Sequence, residues 1–358
     1  MNALVIALYS LLSLLMGADE AEIVFAGDAM QHAGQLDAAR QADGSYDYSE
    51  YFAALEPYIA GADYAVVNLE TPLGGKPYSG YPMFCSPDAY ASALVDAGFD
   101  FMLLANNHIL DRRDRGLLRT LDALDSIGVP HAGVWRNASE RSRLNPVIKD
   151  VNGFRIAILN YTYGTNGIEV QNDAVVDYID RRIIADDIAR ARSLGAEIVT
   201  ACIHWGDEYR LLPNASQRSL ADWLIGQGVD MIIGGHPHVI QPMEMRRNDS
   251  TGRPSLLVYS LGNFISNMKT ADTRGGAMVR VRLMRDRSGQ AYVADATYRL
   301  VFTVPPVDGC NYRAVPAENC PSSRWSQACD MFVRNAEAIF DRHNCGVPRD
   351  TVTIGTRP

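Results

Sequence analysis

A series of short apolar runs, each leading into a residue able to hold a metal ion, constrains this 358-residue chain more than any other feature. Residues 23–26 lead to Asp28, 64–67 to Glu70, 101–105 to Asn107 and His108, 196–203 to His204, and 229–233 to His236 and His238. Segments with helical spacing lie between them: 48–59, 89–97 behind Ser86-Pro87, 114–127 stopped by Gly128, 179–194, and a helix capped by Asn214. Strands alternating with helices predict an α/β fold with a largely parallel sheet covered by helices. In such sheets, residues just past the carboxyl ends of the strands meet along one edge. Asp28, Glu70, Asn107, His204, His236 and His238 then form a mixed oxygen and nitrogen ligand set that suits Zn, Mn or Fe better than Ca or Cu(I). Each alone has a plainer reading, as a turn-forming Asp, a loop-closing Asn or a core His. Their recurrence at successive strand ends is what points to a site. Within Gly234-Gly235-His236-Pro237-His238, the glycines permit a tight turn and Pro237 fixes a dihedral between the two imidazoles.

Asn152-Gly153 predicts a hairpin joining 147–150 to 154–159, and 277–283 and 292–301 read as antiparallel strands. The net charge of -9, from 33 basic and 42 acidic residues, argues against nucleic acid or an anionic lipid surface as the main partner. Residues 3–16 form an uncharged apolar run, short for a membrane span and fitting a secretory signal peptide over residues 1–18. Export is therefore expected (periplasmic, cell-surface or secreted), with an uncleaved N-terminal membrane anchor as the alternative. Cys310, Cys320, Cys329 and Cys345 lie in a segment that reads as poor in apolar periodicity, so two disulfides are expected there, in any of the three pairings. The organisation expected is a main domain over 22–300 and a Cys-rich extension over 301–358.

The motifs Gly27-Asp28-Ala29-Met30, Asn68-Leu69-Glu70, Asn106-Asn107-His108, His204-Trp205-Gly206, Gly235-His236-Pro237-His238 and Ser260-Leu261-Gly262-Asn263-Phe264, in this order, resemble the CapA family of bacterial capsule (poly-γ-glutamate) biosynthesis proteins. That family is similar to the calcineurin-type metallophosphoesterases. The resemblance implies a metallophosphoesterase-like layered sheet and helix sandwich. It also implies one or two divalent ions: Asp28 and His238 at a first metal, Glu70 bridging, Asn107, His204 and His236 at a second, and His108 free beside it. A His of the parent pattern is replaced by Met30, so the first metal loses a ligand. Glu208 is a candidate general base or outer-shell partner, and Asn263 and Arg112 are candidate substrate contacts. The implied partners are an anionic surface polymer or its precursor and a membrane polymer synthase. The implied activity is hydrolysis of a phosphoester or amide bond, the alternative being a non-catalytic accessory subunit with a relic site.

Overall fold

The computed structural model describes residues 20–249, 251–307, 310–320 and 324–351, so the leader run over 3–16 lies outside the described residues. In chain order the strands are β1 (Glu20–Ala29), β2 (Tyr64–Leu69), β3 (Phe101–Leu103), β4 (His131–Ala132), β5 (Val134–Trp135), β6 (Val147–Val151), β7 (Phe154–Thr162), β8 (Val175–Val176), β9 (Ile198–His204), β10 (Met231–Gly235), β11 (Met243–Arg247), β12 (Pro254–Val258), β13 (Asn263–Ile265), β14 (Gly275–Arg285), β15 (Ala291–Val304) and β16 (Arg313–Pro316). The helices are α1 (Ala33–Ala39), α2 (Glu56–Ile59), α3 (Asp88–Asp96), α4 (Arg113–Ile127), α5 (Ala138–Leu144), α6 (Arg181–Ser193), α7 (Ala215–Gly226) and α8 (Ser326–His343).

Apart from the small antiparallel pair β5-β8, the strands form two mixed sheets where one largely parallel sheet was expected. The first runs β16-β15-β14-β1-β2-β3-β4 with β13 beside β1, and the second runs β11-β12-β10-β9-β7-β6. Parallel pairing joins β1 to β4 in the first and β12, β10, β9 and β7 in the second. Side-chain alternation along each strand explains the second sheet. Phe25, Val66 and Phe101 point from the first sheet into a core shared with Ile156, Ile198, Met231 and Val258 of the second. Their neighbours Val24, Val67 and Met102 face outward onto Leu94 of α3 and Leu117, Leu121 and Leu124 of α4. Leu159, Val199 and Ile232 of the second sheet likewise face Ile184 of α6 and Leu220 and Leu224 of α7. The result is four layers, helix, sheet, sheet, helix, with both sheets buried on both faces.

Local signals were followed closely at most termini. Asn152 (φ 50) and Gly153 (φ 81) turn the β6/β7 hairpin, Gly128 (φ 74) ends α4, and Asn214 and Gln217 form a capping box on α7. Residues 48–59 differ: only Glu56–Ile59 is helical, because Tyr51 and Leu55 donate their N–H to carbonyls three residues back, at Tyr48 and Phe52. Tyr48, Tyr51, Phe52 and Leu55 are buried all the same, in turns.

The C-terminal stretch is less dependent on bridges than its sequence implied. Helix α8 is amphipathic, and Cys329, Phe332, Ala336 and Phe340 join the inter-sheet core from one face. The second expected disulfide does not form: Cys320 pairs with Cys329, while Cys310 and Cys345 are free and exposed. Backbone bonding explains this, since the Cys345 N–H donates to Met243 O and its carbonyl accepts from Met245 N, fixing it along β11. Cys310 precedes Asn311, whose amide donates to Asp47 O elsewhere in the fold. Labelling of the unfolded, unreduced protein should therefore find four thiols (Cys85, Cys202, Cys310, Cys345), rising to six after reduction. A count of two before reduction would show a second bridge. Phe332→Ala, which removes the ring lying against Gly275, should destabilise the fold by about 3 to 5 kcal/mol in a denaturant titration.

Candidate metal centre

The carboxyl ends of the parallel strands from both sheets converge on one point. Asp28 is on β1, Glu70 directly follows β2, His204 ends β9, and His236 and His238 follow β10. Glu70, His204 and His236 each offer a ligand atom, all within 4.8 Å of one another, and so do Asp28, Glu70 and His238. Glu70 is common to both groups, as a bridging carboxylate is. Asn107 Oδ1 lies 2.9 Å from His204 Nε2, itself 3.5 Å from Glu70 Oε1, which places the amide oxygen with the His204 and His236 group.

Close backbone approach makes this possible. A Cβ on Gly235 would lie 2.7 Å from Asp28 Oδ1. Asp28 Oδ2 accepts the His236 N–H at 3.1 Å, and Asp28 Oδ1 accepts Asn68 Nδ2 at 2.7 Å. His236 (φ 96) and His238 (φ 60) occupy the left-handed region, an arrangement of about 1 to 3 kcal/mol of strain each, of the kind found at ligand clamps.

The electrostatics call for a cation. Asp28 and Glu70 are fully buried, and burial, reinforced by the Glu70 charge at Asp28 and by the Glu208 and Asp111 charges at Glu70, pushes Asp28 up to about 7 and Glu70 to about 8. The charges acting most strongly on them come from each other's neighbourhood of carboxylates and histidines, none from Lys or Arg. Neither Glu70 oxygen nor His236 Nδ1 has a hydrogen-bond partner. Burial lowers His204 to about 4 and His238 to about 3, and lowers His236 further, so all three imidazoles are neutral at physiological pH, the form that ligates metal. Orphaned carboxylate oxygens beside neutral imidazoles fit one or two divalent ions.

His108 stands beside this group. Its Nδ1 is 2.8 Å from Asp111 Oδ2, which also accepts the Phe84 N–H. Burial lowers its basicity, but the Asp111 bond and the Glu70, Asp111 and Glu208 charges outweigh burial and raise its pKa. Glu208 Oε1 is 4.0 Å from His238 Nε2 on the open side. Asn263 is fully buried behind His238: its Oδ1 faces His238 Nδ1 at 3.1 Å and its Nδ2 donates to Thr273 O. Arg112 precedes α4, with its stem packed over Gly74 and Gly116.

Several contributors escaped the sequence reading. Asp111 follows His108 by three residues, but its pairing with the imidazole depends on the turn that the chain makes there. Asn68 and Asn106 sit inside motifs already noted; Asn106 Nδ2 donates to Asn68 Oδ1 and its Oδ1 accepts the His108 N–H, so they connect Asp28 to His108. Tyr163, whose ring is 4.5 Å from that of His236, carried no signal in its sequence context.

The double sheet flanked by helices is a metallophosphoesterase-like fold, and a buried group of carboxylates and imidazoles lies at its strand ends. The NAD nucleotidase NadN of Haemophilus influenzae has the same fold, at a TM-score of 0.51 and 14% identity over 88% of this chain and 62% of that one. The chain belongs to the bacterial capsule synthesis protein PGA_cap family, whose model matches residues 22–268. It is 27% identical to the capsule biosynthesis protein CapA of Bacillus anthracis over 66% of this chain and 59% of that protein. It is 29% identical to the PGA biosynthesis protein CapA of Bacillus subtilis (strain 168) over 82% and 72%.

The raised carboxylates set the sign of a pH effect. A carboxyl whose pKa is higher folded than unfolded favours the fold when protonated, and that contribution is lost as pH rises through the folded value. That loss runs from the unfolded carboxyl values of about 4 up to the folded values of about 7 for Asp28 and about 8 for Glu70. Below about 6.5 the buried neutral imidazoles act in the opposite sense. The metal-free protein should therefore melt at lower temperature as pH rises from about 6.5 to about 8, and level off above. Excess Mn²⁺ should flatten the decline, and Glu70→Gln should reduce it without metal. Melting temperatures that do not depend on pH in the chelated protein would contradict this picture.

Proposed function

We propose that the chain is a metal-dependent hydrolase of surface-polymer biosynthesis, cleaving a phosphoester or amide bond in an anionic polymer of poly-γ-glutamate type or in its precursor. The observation that carries this reading is Glu70, fully buried, with both oxygens unpartnered, and shared by two ligand groups. Asp28, Glu70 and His238 would hold one ion and Glu70, Asn107, His204 and His236 the other, with Mn, Zn or Fe as occupants. When bound, such ions supply Lewis acidity toward the scissile group.

The chain's own groups handle the proton. Asp111 accepts from His108 Nδ1, so Nε2 is the nitrogen left to exchange a proton with substrate. With Nδ1 taken up by Asp111, His108 is placed to protonate the leaving group through Nε2. The names of the Bacillus relatives support the polymer class, and the Cys320–Cys329 bridge and the apolar leader run support export. A membrane-bound synthase is the partner this role implies. Among the described residues, no helix is long and apolar enough to cross a membrane.

His204→Ala and His236→Ala should each remove most of the metal found by elemental analysis. His108→Asn should keep the metal and lower kcat by about 10²- to 10⁴-fold in a phosphoester and γ-glutamyl hydrolysis screen. A fully loaded wild type that binds the polymer and hydrolyses nothing would replace the hydrolase with an accessory role.

A further inference from the structure

We propose that Glu208 is itself a metal ligand, completing the position formed by Asp28, Glu70 and His238 in place of the imidazole that Met30 does not provide. The inference rests on the metal-centre reading above. Met30 is buried and its backbone is fully engaged: its N–H donates to Ile265 O, and its carbonyl accepts from Gln35 Nε2 and the Tyr90 hydroxyl. A thioether is also too soft a donor to replace imidazole toward Mn or Zn.

Glu208 has the geometry that Met30 lacks. Asn263 Oδ1 faces His238 Nδ1, so the nitrogen left for a metal is Nε2, and this is the atom 4.0 Å from Glu208 Oε1. Two ligand atoms on one ion, each about 2.0 to 2.2 Å from it, lie roughly 3 to 3.5 Å apart. A small swing of a side chain that is 40% exposed closes the difference.

The loop after β9 is built to aim this carboxylate. Gly206 (φ 94) turns where a Cβ would meet the Gln217 carboxamide at 2.6 Å. Tyr209 is held left-handed (φ 64), with its N–H donating to Pro237 O at 2.9 Å. The loop thus folds back onto the His236-Pro237-His238 segment. Asp207 is tied away by Asn214 Nδ2, at 2.8 Å, which leaves Glu208 as the carboxylate directed inward. His32, an imidazole that also lies nearby, has its Nδ1 taken up by the Asn267 N–H.

This assignment makes the two positions chemically unequal. Asp28, Glu70 and Glu208 with one imidazole form an oxygen-rich position suited to Mn²⁺, whereas His204 and His236 make the other nitrogen-rich and suited to Zn²⁺. The test is titration of the chelator-stripped full chain with Mn²⁺ and with Zn²⁺, followed by calorimetry and Mn²⁺ EPR, for wild type and Glu208→Gln. Glu208→Gln should weaken one Mn²⁺ site by about tenfold or more and leave Zn²⁺ at the nitrogen-rich position unchanged. Equal Mn²⁺ affinity in both proteins would overturn the proposal. So would parallel loss of both ions, which would make Glu208 a support of the whole centre. A wild type that takes up neither ion would instead sink the metal-centre reading itself.

Discussion

Asp28 ties the two sheets together, and the centre exists because of that tie. One of its oxygens accepts from Asn68 on β2, its own sheet, and the other from the His236 backbone at the end of β10, in the second sheet. Asn160 makes a second link deeper down: its Oδ1 accepts the N–H groups of Leu104 and Ala105 across the inter-sheet gap, and its Nδ2 donates to Cys202 O on its own sheet. Two parallel sheet segments are thereby held with their carboxyl ends facing one point. The same closeness buries Asp28 and Glu70 without a Lys or Arg among their strongest charge partners. Binding of cations and stability of the fold are consequently coupled there.

Strain is concentrated in the same place. His236, His238 and Tyr209 all have left-handed backbone, and Tyr209 N–H is bonded to Pro237 O. Bulky residues persist in that conformation only where surrounding structure over-determines them. Here the surroundings are the Asp28 carboxylate at His236 N and the Asn263 amide at His238. Protein contacts at both histidines thus help define the shape of this loop.

The candidate ligands were legible because each follows an apolar run, and the rule for strand ends needs no knowledge of the sheet arrangement. The number of sheets was not legible: Val24 and Phe25 are both apolar, and a strand buried on both faces reads the same whether its second face meets helices or another sheet. Helix α8 was missed because the stretch reads as poor in apolar periodicity, while its core face is completed by Cys329 and Ala336 beside and between Phe332 and Phe340. Asp111 and Asn106 were missed for another reason. Their partners, His108 Nδ1 and the His108 N–H, become visible only once the chain after β3 turns back on itself.

The C-terminal stretch has one more physical role, along an edge of the second sheet. Strand β11 would present unpaired N–H and C=O groups there, but Cys345 bonds through its backbone to Met243 and Met245, and Asn344 Oδ1 accepts the Met243 N–H. An open strand edge is a template on which another chain can add itself. A few residues of backbone laid along β11 give the molecule protection against self-association, by geometry alone and without a covalent link.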